Sequence, residues 1–310
     1  MSVKHVSAAA LAVALLGLSG CVMEDGFGGF QRYSRDFHYS YPLKSDGRLS
    51  VETFNGSVEI SGWDEATIDI SGTKYGPSQE AADALRVDVD HAPDAASVRA
   101  VRPTMWRNNI GARFVIKVPR GAALERIISS NGAIRVSDEN GPAHLRTSNG
   151  QIHVEAFHGN VDAQTSNSAI ELVDVDGDVT AHTSNGHVRA DNLRGSLQAT
   201  TSNGGVKATL SRPDRPVHVE TSNGSVELTL PPKQSADVRV HSSNNGITLR
   251  LAEPVNARVS AHTTNASIHC GFEVRMSGEI GKNHMDAVIG AGGPLFDLST
   301  SNGGIRLVKM

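Results

Sequence analysis

The chain has 310 residues, of which 38% are hydrophobic, 5% aromatic and 20% charged, with a formal charge of -4 and two cysteines. The weakly acidic, well-mixed charge excludes a protein that holds nucleic acid through its net charge, and two cysteines cannot supply a disulfide framework. So few aromatic residues are lean for a globular core but suit a thin stack filled with valine, isoleucine and alanine.

Residues 1–20 read as a signal peptide, with a basic start at Lys4, an apolar run from Val6 to Leu18 and a small-residue exit. That run is too short to span a bilayer. Its end, Leu18-Ser19-Gly20-Cys21, resembles the bacterial lipobox, which implies that Cys21 becomes the lipid-bearing first residue of the mature chain. Val22 stands where an aspartate would hold a lipoprotein in the inner membrane, so the resemblance implies the outer membrane, on its periplasmic or surface face. Loss of Lys4 with the leader takes the formal charge from -4 to -5. Residues 21–35 then read as a flexible tether.

Residues 36–125 carry alternating segments around Ile68 and Ile70, Val87 and Val89, Val98, and Phe114, Ile116 and Val118. The polar stretch PSQEAADALR among them suits a short helix. This region is expected to be a β-rich N-terminal part of the same stack, an atypical cap over an open sheet edge.

From residue 126 to 310 one unit repeats. Asn131, Asn149, Asn167, Asn185 and Asn203 lie 18 apart, Asn223, Asn244 and Asn265 follow at 20, 21 and 21, Asn302 closes the series, and Asn55 opens it upstream. With the asparagine as position zero, positions -2 carry Thr or Ser, -4 an apolar residue, and +3 and +5 apolar residues again. Strand side chains alternate faces with period two, so each copy reads as strand, corner, strand. The -6 column is also mostly apolar, with Glu125 as the exception. A sharp corner favours Asn-Gly because both residues accept positive φ, and a second corner is expected near Gly141, Gly159, Gly177 and Gly195.

Units of this size must stack to bury a core. The fold class expected is therefore all-β: a β-solenoid of two-strand coils about 18–21 residues long with Asn-Gly corners. A β-meander is the competing architecture, but it has no need of identical inward columns. Stacked corners would let each asparagine amide donate to the next, giving a structural ladder of all ten. The 37-residue gap from Asn265 to Asn302 has room for one degenerate coil around GKNHMDAVIG, and little follows Leu307 to form a C-terminal cap.

The ISGWDEATIDISG start, the IKVPRGAAL segment and the serial TSNG units resemble the bacterial adhesin-type family DUF4097 over roughly residues 35–310. That resemblance implies a β-helix-like architecture and brings no catalytic residues with it.

No chemistry stands out from the repeat. His182, His241 and His262 share the outward -3 column with Arg146, Gln164, Thr200, Glu220 and Ser299, which is a solvated face rather than a ligand set. No metal or other cofactor is therefore expected. Asp174, Asp176, Asp178 and Asp191 are the carboxylates close enough in sequence to serve a polysaccharide lyase or hydrolase, the alternative class. Cys270 falls in an inward column and reads as a buried, inert thiol. A lattice-binding array is disfavoured because the threonines point inward. The function expected is non-enzymatic: surface binding or envelope structure, with an envelope protein or polysaccharide as partner and no nucleic acid.

Overall fold

The computed structural model describes residues 33–105 and 109–310, with the side chains of 276–280 left out. The signal peptide, the lipobox with Cys21 and most of the tether lie outside the described residues. The first strand, β1 (Tyr33–Pro42), already takes in residues 33–35, which the sequence assigns to the tether. It is followed by β2 (Arg48–Thr53), β3 (Val58–Trp63), β4 (Thr67–Gly76), the short helix α1 (Gln79–Ala84), β5 (Arg86–Ala92), β6 (Ala95–Val101) and β7 (Gly111–Pro119). Ser78 caps the helix by accepting a hydrogen bond from the Ala81 N–H, as a serine at that position does.

The repeats follow as strand pairs. They are β8 (Ala123–Ser129) and β9 (Ile134–Ser137), β10 (Ala143–Thr147) and β11 (Ile152–His158), β12 (Val161–Gln164) and β13 (Ile170–Asp176), and β14 (Val179–Thr183) and β15 (Val188–Leu193). Next come β16 (Leu197–Thr201) and β17 (Val206–Leu210), β18 (Val217–Thr221) and β19 (Val226–Leu230), and β20 (Val238–Ser242) and β21 (Ile247–Leu251). The chain then forms β22 (Ala257–Thr263), β23 (Ile268–Cys270), β24 (Val274–Ile280), β25 (His284–Ile289), β26 (Leu295–Thr300) and β27 (Ile305–Lys309).

In each coil the first strand joins a 14-stranded sheet and the second a 13-stranded sheet, and equivalent strands of successive coils pair in parallel. Inward columns from both sheets make one continuous core; Leu145, Ala163, Ala181 and Ala199 face it from one sheet and Val154, Leu172 and Ala190 from the other, none more than 1% exposed. The fold is thus a β-solenoid, nearly all-β.

At the corner, none of the repeat asparagines has positive φ, and of the glycines that follow them only Gly56 does. The expectation that positive φ explains the Asn-Gly step is therefore corrected. Glycine is favoured because the layers touch: a Cβ at Gly132 would lie 1.7 Å from the Gly56 carbonyl oxygen, and one at Gly150 would lie 1.9 Å from that of Gly132, although Ser168, Asn245 and Ala266 fill the place in three coils. Left-handed backbone occurs instead before the second corner, in a column of Asp138, Ala156, Asp174 and Asn192 with φ of 56°, 50°, 53° and 57°. That kink turns the next residue of each coil inward.

The expected exception at Glu125 is resolved by a β-bulge. Both neighbours of β8 shift register there, so Leu124 takes the inward place while Glu125 and Arg126 both face out.

Two further expectations are corrected at the ends. The segment between Asn265 and Asn302 forms no degenerate coil: β24 and β25 make an antiparallel hairpin, and β25 pairs antiparallel with β22. The last coil does not stack last either, for β26 lies between β20 and β22, and β27 between β21 and β23. The N-terminal end shows the same device, with β2 and β3 sandwiched between β6 and β7 on one side and β8 and β9 on the other.

Candidate functional site: corner ladder and outer faces

All ten asparagines named from the sequence come together in one column, exposed except for the half-buried Asn55 at its end. Asn131 donates from Nδ2 to Asn55 Oδ1 at 2.5 Å, Asn149 to Asn131 at 2.6 Å, Asn167 to Asn149 at 2.6 Å, Asn185 to Asn167 at 2.8 Å and Asn203 to Asn185 at 2.7 Å. Asn223 donates to Asn203 at 2.8 Å and Asn244 to Asn223 at 2.6 Å. The inserted coil then takes its turn, since Asn302 donates to Asn244 at 2.8 Å and Asn265 to Asn302 at 2.7 Å. Every amide points the same way, and Asn55 ends the series by donating to the Ile110 carbonyl at 3.1 Å.

Beside it runs a buried hydroxyl column. Thr183 Oγ1 donates to the Ser168 carbonyl at 3.0 Å and accepts from the Gly186 N–H at 3.2 Å; Thr201 does the same with Gly186 and Gly204. From Ser129 onward each hydroxyl thus ties its coil to the adjoining layer, which explains why only Thr or Ser stands there although the site is buried.

The second corner contains a residue the sequence reading missed. The inward position after the left-handed kink holds Phe157, Val175 and Leu193 in three coils, and Glu139 in the first. Glu139 is fully buried; its Oε1 accepts from the Gly121 N–H at 2.6 Å, and its Oε2 has no partner. Burial pushes its carboxyl up to about 7, although N–H groups of Asn140, Gly121 and Ala122 pull the other way. The signal lay eight residues after the asparagine, where Glu139 stands in the place that Phe157, Val175 and Leu193 fill in the next three coils.

The acidic residues considered for an enzyme are held by partners in the corners. Asp174 accepts from Asn192 Nδ2 at 2.5 Å, Asp191 from Arg189 at 2.7 Å, and Asp178 from the Ser196 N–H and hydroxyl at 3.0 and 2.8 Å. Those Ser196 bonds hold the Asp178 carboxyl below its usual range, the opposite of what a general acid requires. Asp176 lends its backbone carbonyl to Gly159.

The outward -3 column is a polar face apart from Ile128, and its order differs from that of the sequence. The inserted strand puts Ser299 between His241 and His262, with His241 Nδ1 2.8 Å from the Ser299 hydroxyl, and the hairpin puts His284 opposite His262. Among the described residues no group of three or more His, Cys, Asp or Glu side chains is arranged to hold a metal ion. Cys270 occupies its inward column opposite Leu307 but is only half-buried, because β23 is an edge strand. Burial still raises its thiol.

Comparison with known proteins places this architecture. The sequence profile of the Toastrack DUF4097 family matches residues 115–280, more than half of the chain. Among solved structures, the chain is similar to a "putative adhesin" from Bacteroides fragilis at 15% identity, covering 88% of this chain and 97% of that one with a TM-score of 0.35. It is also similar to a "putative cell adhesion protein" from Clostridium sporogenes at 12% identity, covering 89% and 100% with a TM-score of 0.26. A "putative adhesin" from Parabacteroides merdae matches at 9% identity, covering 88% and 96% with a TM-score of 0.27. No curated protein matches. The ladder-bearing chain belongs to the Toastrack DUF4097 family.

Proposed function

We propose that this chain is a non-enzymatic adhesin-type protein of the cell envelope, anchored by lipid on Cys21 at the outer membrane and binding an envelope protein or polysaccharide through its outer faces. The observation that carries this reading is the outward surface of the longer sheet. There, the -5 and -3 columns hold Arg126, His144, Asp162, Arg146, Gln164 and their equivalents in fixed rows on a rigid parallel stack. Such rows present many weak polar contacts at one strand spacing of about 4.8 Å, which suits a repetitive partner better than a single small substrate. In this reading the ten ladder asparagines are structural, and residues 36–125 cap the stack. No described helix is long and apolar enough to cross a membrane; in this reading the chain is attached through the lipobox cysteine.

Two measurements test the reading. Metabolic palmitate labelling should mark the parent chain and not Cys21→Ala, and the variant should move from the membrane to the soluble fraction; an unlabelled parent would remove the anchor. The full-length chain in detergent should retain material from envelope extracts, and failure to retain any would remove the binding role.

A further inference from the structure

The outer face of the longer sheet has one place where its polar pattern is broken. Across the ten coils, the outward -3 and -5 columns hold charged, histidine, amide or hydroxyl side chains everywhere except at Ile128. Ile128 is half-buried and lies in register with Arg146 on one side and Glu52 on the other. An aliphatic side chain facing water has no reason to be there for the core, which Ile127 and Leu124 fill from the other side.

The bulge in β8 lies just upstream. Two successive residues, Glu125 and Arg126, face out there, and the surface sinks into a depression of about 180 Å³ lined by Ile128, Arg126, His144, Arg146, Asp162 and Gln164 among others. Bulges re-aim side chains and recur beside binding sites. A depression of this size has room for one small ring rather than a drug-sized ligand.

The polar groups around the aliphatic floor are largely paired with one another. Arg126 bonds Glu52 at 2.9 Å, Arg48 lies 3.8 Å from Glu125, His144 lies 3.6 Å from Asp162, and Gln164 donates to Asp162 at 3.2 Å. Arg146 is different: it is exposed and has no ion-pair or hydrogen-bond partner among the described residues. An aliphatic floor, a rim rich in planar donors and acceptors, and one unpaired guanidinium together describe a ligand. It has an apolar ring face, several hydroxyls and one negative charge.

We propose that this depression is a subsite for a single sugar residue bearing an anionic group, carboxylate or phosphate, within an acidic envelope polysaccharide. Arg146 takes the anion, Ile128 meets the ring face, and Asp162, Gln164 and His144 take hydroxyls. This deepens the adhesin reading and rests on it.

The test uses the full-length chain in detergent, immobilised and exposed to polygalacturonate, to a phosphodiester-linked glycan and to a neutral polysaccharide. The parent should bind at least one of the two anionic polymers more tightly than the neutral one. Which of them it prefers identifies the source of the charge. Arg146→Ala should weaken that binding about tenfold or more, the loss expected for a charge-assisted hydrogen bond. Arg189→Ala, on the opposite sheet, should leave it unchanged. Equal weakening by Arg189→Ala, or an unaffected Arg146→Ala, overturns the subsite while leaving the adhesin reading intact. Binding of the neutral polymer as tightly as the anionic ones overturns the assigned charge. Retention of envelope extract without binding to any of the three polymers overturns the sugar chemistry alone, whereas loss of both overturns the adhesin reading as well.

Discussion

The middle of the stack and its two ends are built from the same inward columns yet assembled by different rules. From β8 to β21 each coil lies on the one before it in sequence, so the chain simply winds. At both ends the order of layers departs from the order of the chain and antiparallel strands are added: β2 and β3 come first and are then flanked on both sides by later strands, whereas β26 and β27 return to fill a gap that the chain had skipped. The difference teaches that a repeat fixes the shape of a layer without fixing its place. Near-identical coils are compatible with many neighbours, and the antiparallel strands decide which neighbour each end coil meets.

The sharpest way to break this comparison is to truncate a core residue in an inserted layer. Leu298, fully buried in β26, contacts the strands on both sides, and β22 reaches the rest of the longer sheet only through β26. Leu298→Ala should cost about 3–4 kcal/mol. By hydrogen exchange, protection should fall first in residues 257–289 while β10 to β17 stay protected. Uniform loss along the chain would show that the ends are not separate units.

Next in size is a clash between layers in the middle. A Cβ at Gly186 would lie 1.7 Å from the Ser168 carbonyl oxygen, against 3.3 Å from that of Leu307 at Gly271, just past the edge strand β23. Gly186→Val should therefore destabilise by about 3 kcal/mol in denaturant titration, and Gly271→Ala by no more than about 0.5 kcal/mol. Equal effects would contradict the tight layer spacing.

Glu139 sharpens the comparison where the N-terminal strands meet the first ordered coils. Its folded carboxyl sits at about 7 against an ordinary 4.5, so the folded state holds the proton more tightly between those values. Its contribution to stability is complete below about pH 4.5 and declines as pH rises towards 7. Glu139→Gln should flatten that slope and make the protein more stable than the parent at pH 8 by about 1–3 kcal/mol. Identical pH profiles would place the carboxyl at an ordinary value.

The hydroxyl and amide columns give the smaller effects. Thr183→Val leaves the Ser168 carbonyl and the Gly186 N–H without their shared partner and should cost about 1–2 kcal/mol, whereas Thr183→Ser should be nearly neutral, as Ser129 and Ser242 already fill that column. Asn185→Ala interrupts the exposed ladder and should cost about 1 kcal/mol or less. A larger loss from the exposed amide than from the buried hydroxyl would reverse the ranking of the two columns.

Much of the candidate surface was legible in the sequence because it follows from alternation. His182, Arg146 and Gln164 had to face out once Ala181, Leu145 and Ala163 faced in. Glu139 was legible only by comparison with Phe157, Val175 and Leu193 in the next coils, because its place in the core depends on a left-handed kink at Asp138 that alternation does not foresee. Ile128 was hidden for a similar reason. Its outward direction follows from the register, but its meaning needs the bulge at Glu125 and the free guanidinium of Arg146 on the neighbouring strand. The meeting of His262 with His284 needed the antiparallel hairpin.

The sequence by itself determined the cross-section of this protein: two strands, a hydroxyl column, an amide corner and an aliphatic filling. Those features come from spacing within about twenty residues, read through period-two alternation and the repetition of the same inward columns. Only the tertiary structure decided the order of the layers at the ends, the burial of Glu139 and the depression beside Ile128. Each of these depends on which coil lies against which, a choice between neighbours of nearly equal local energy that long-range packing makes and local pattern cannot.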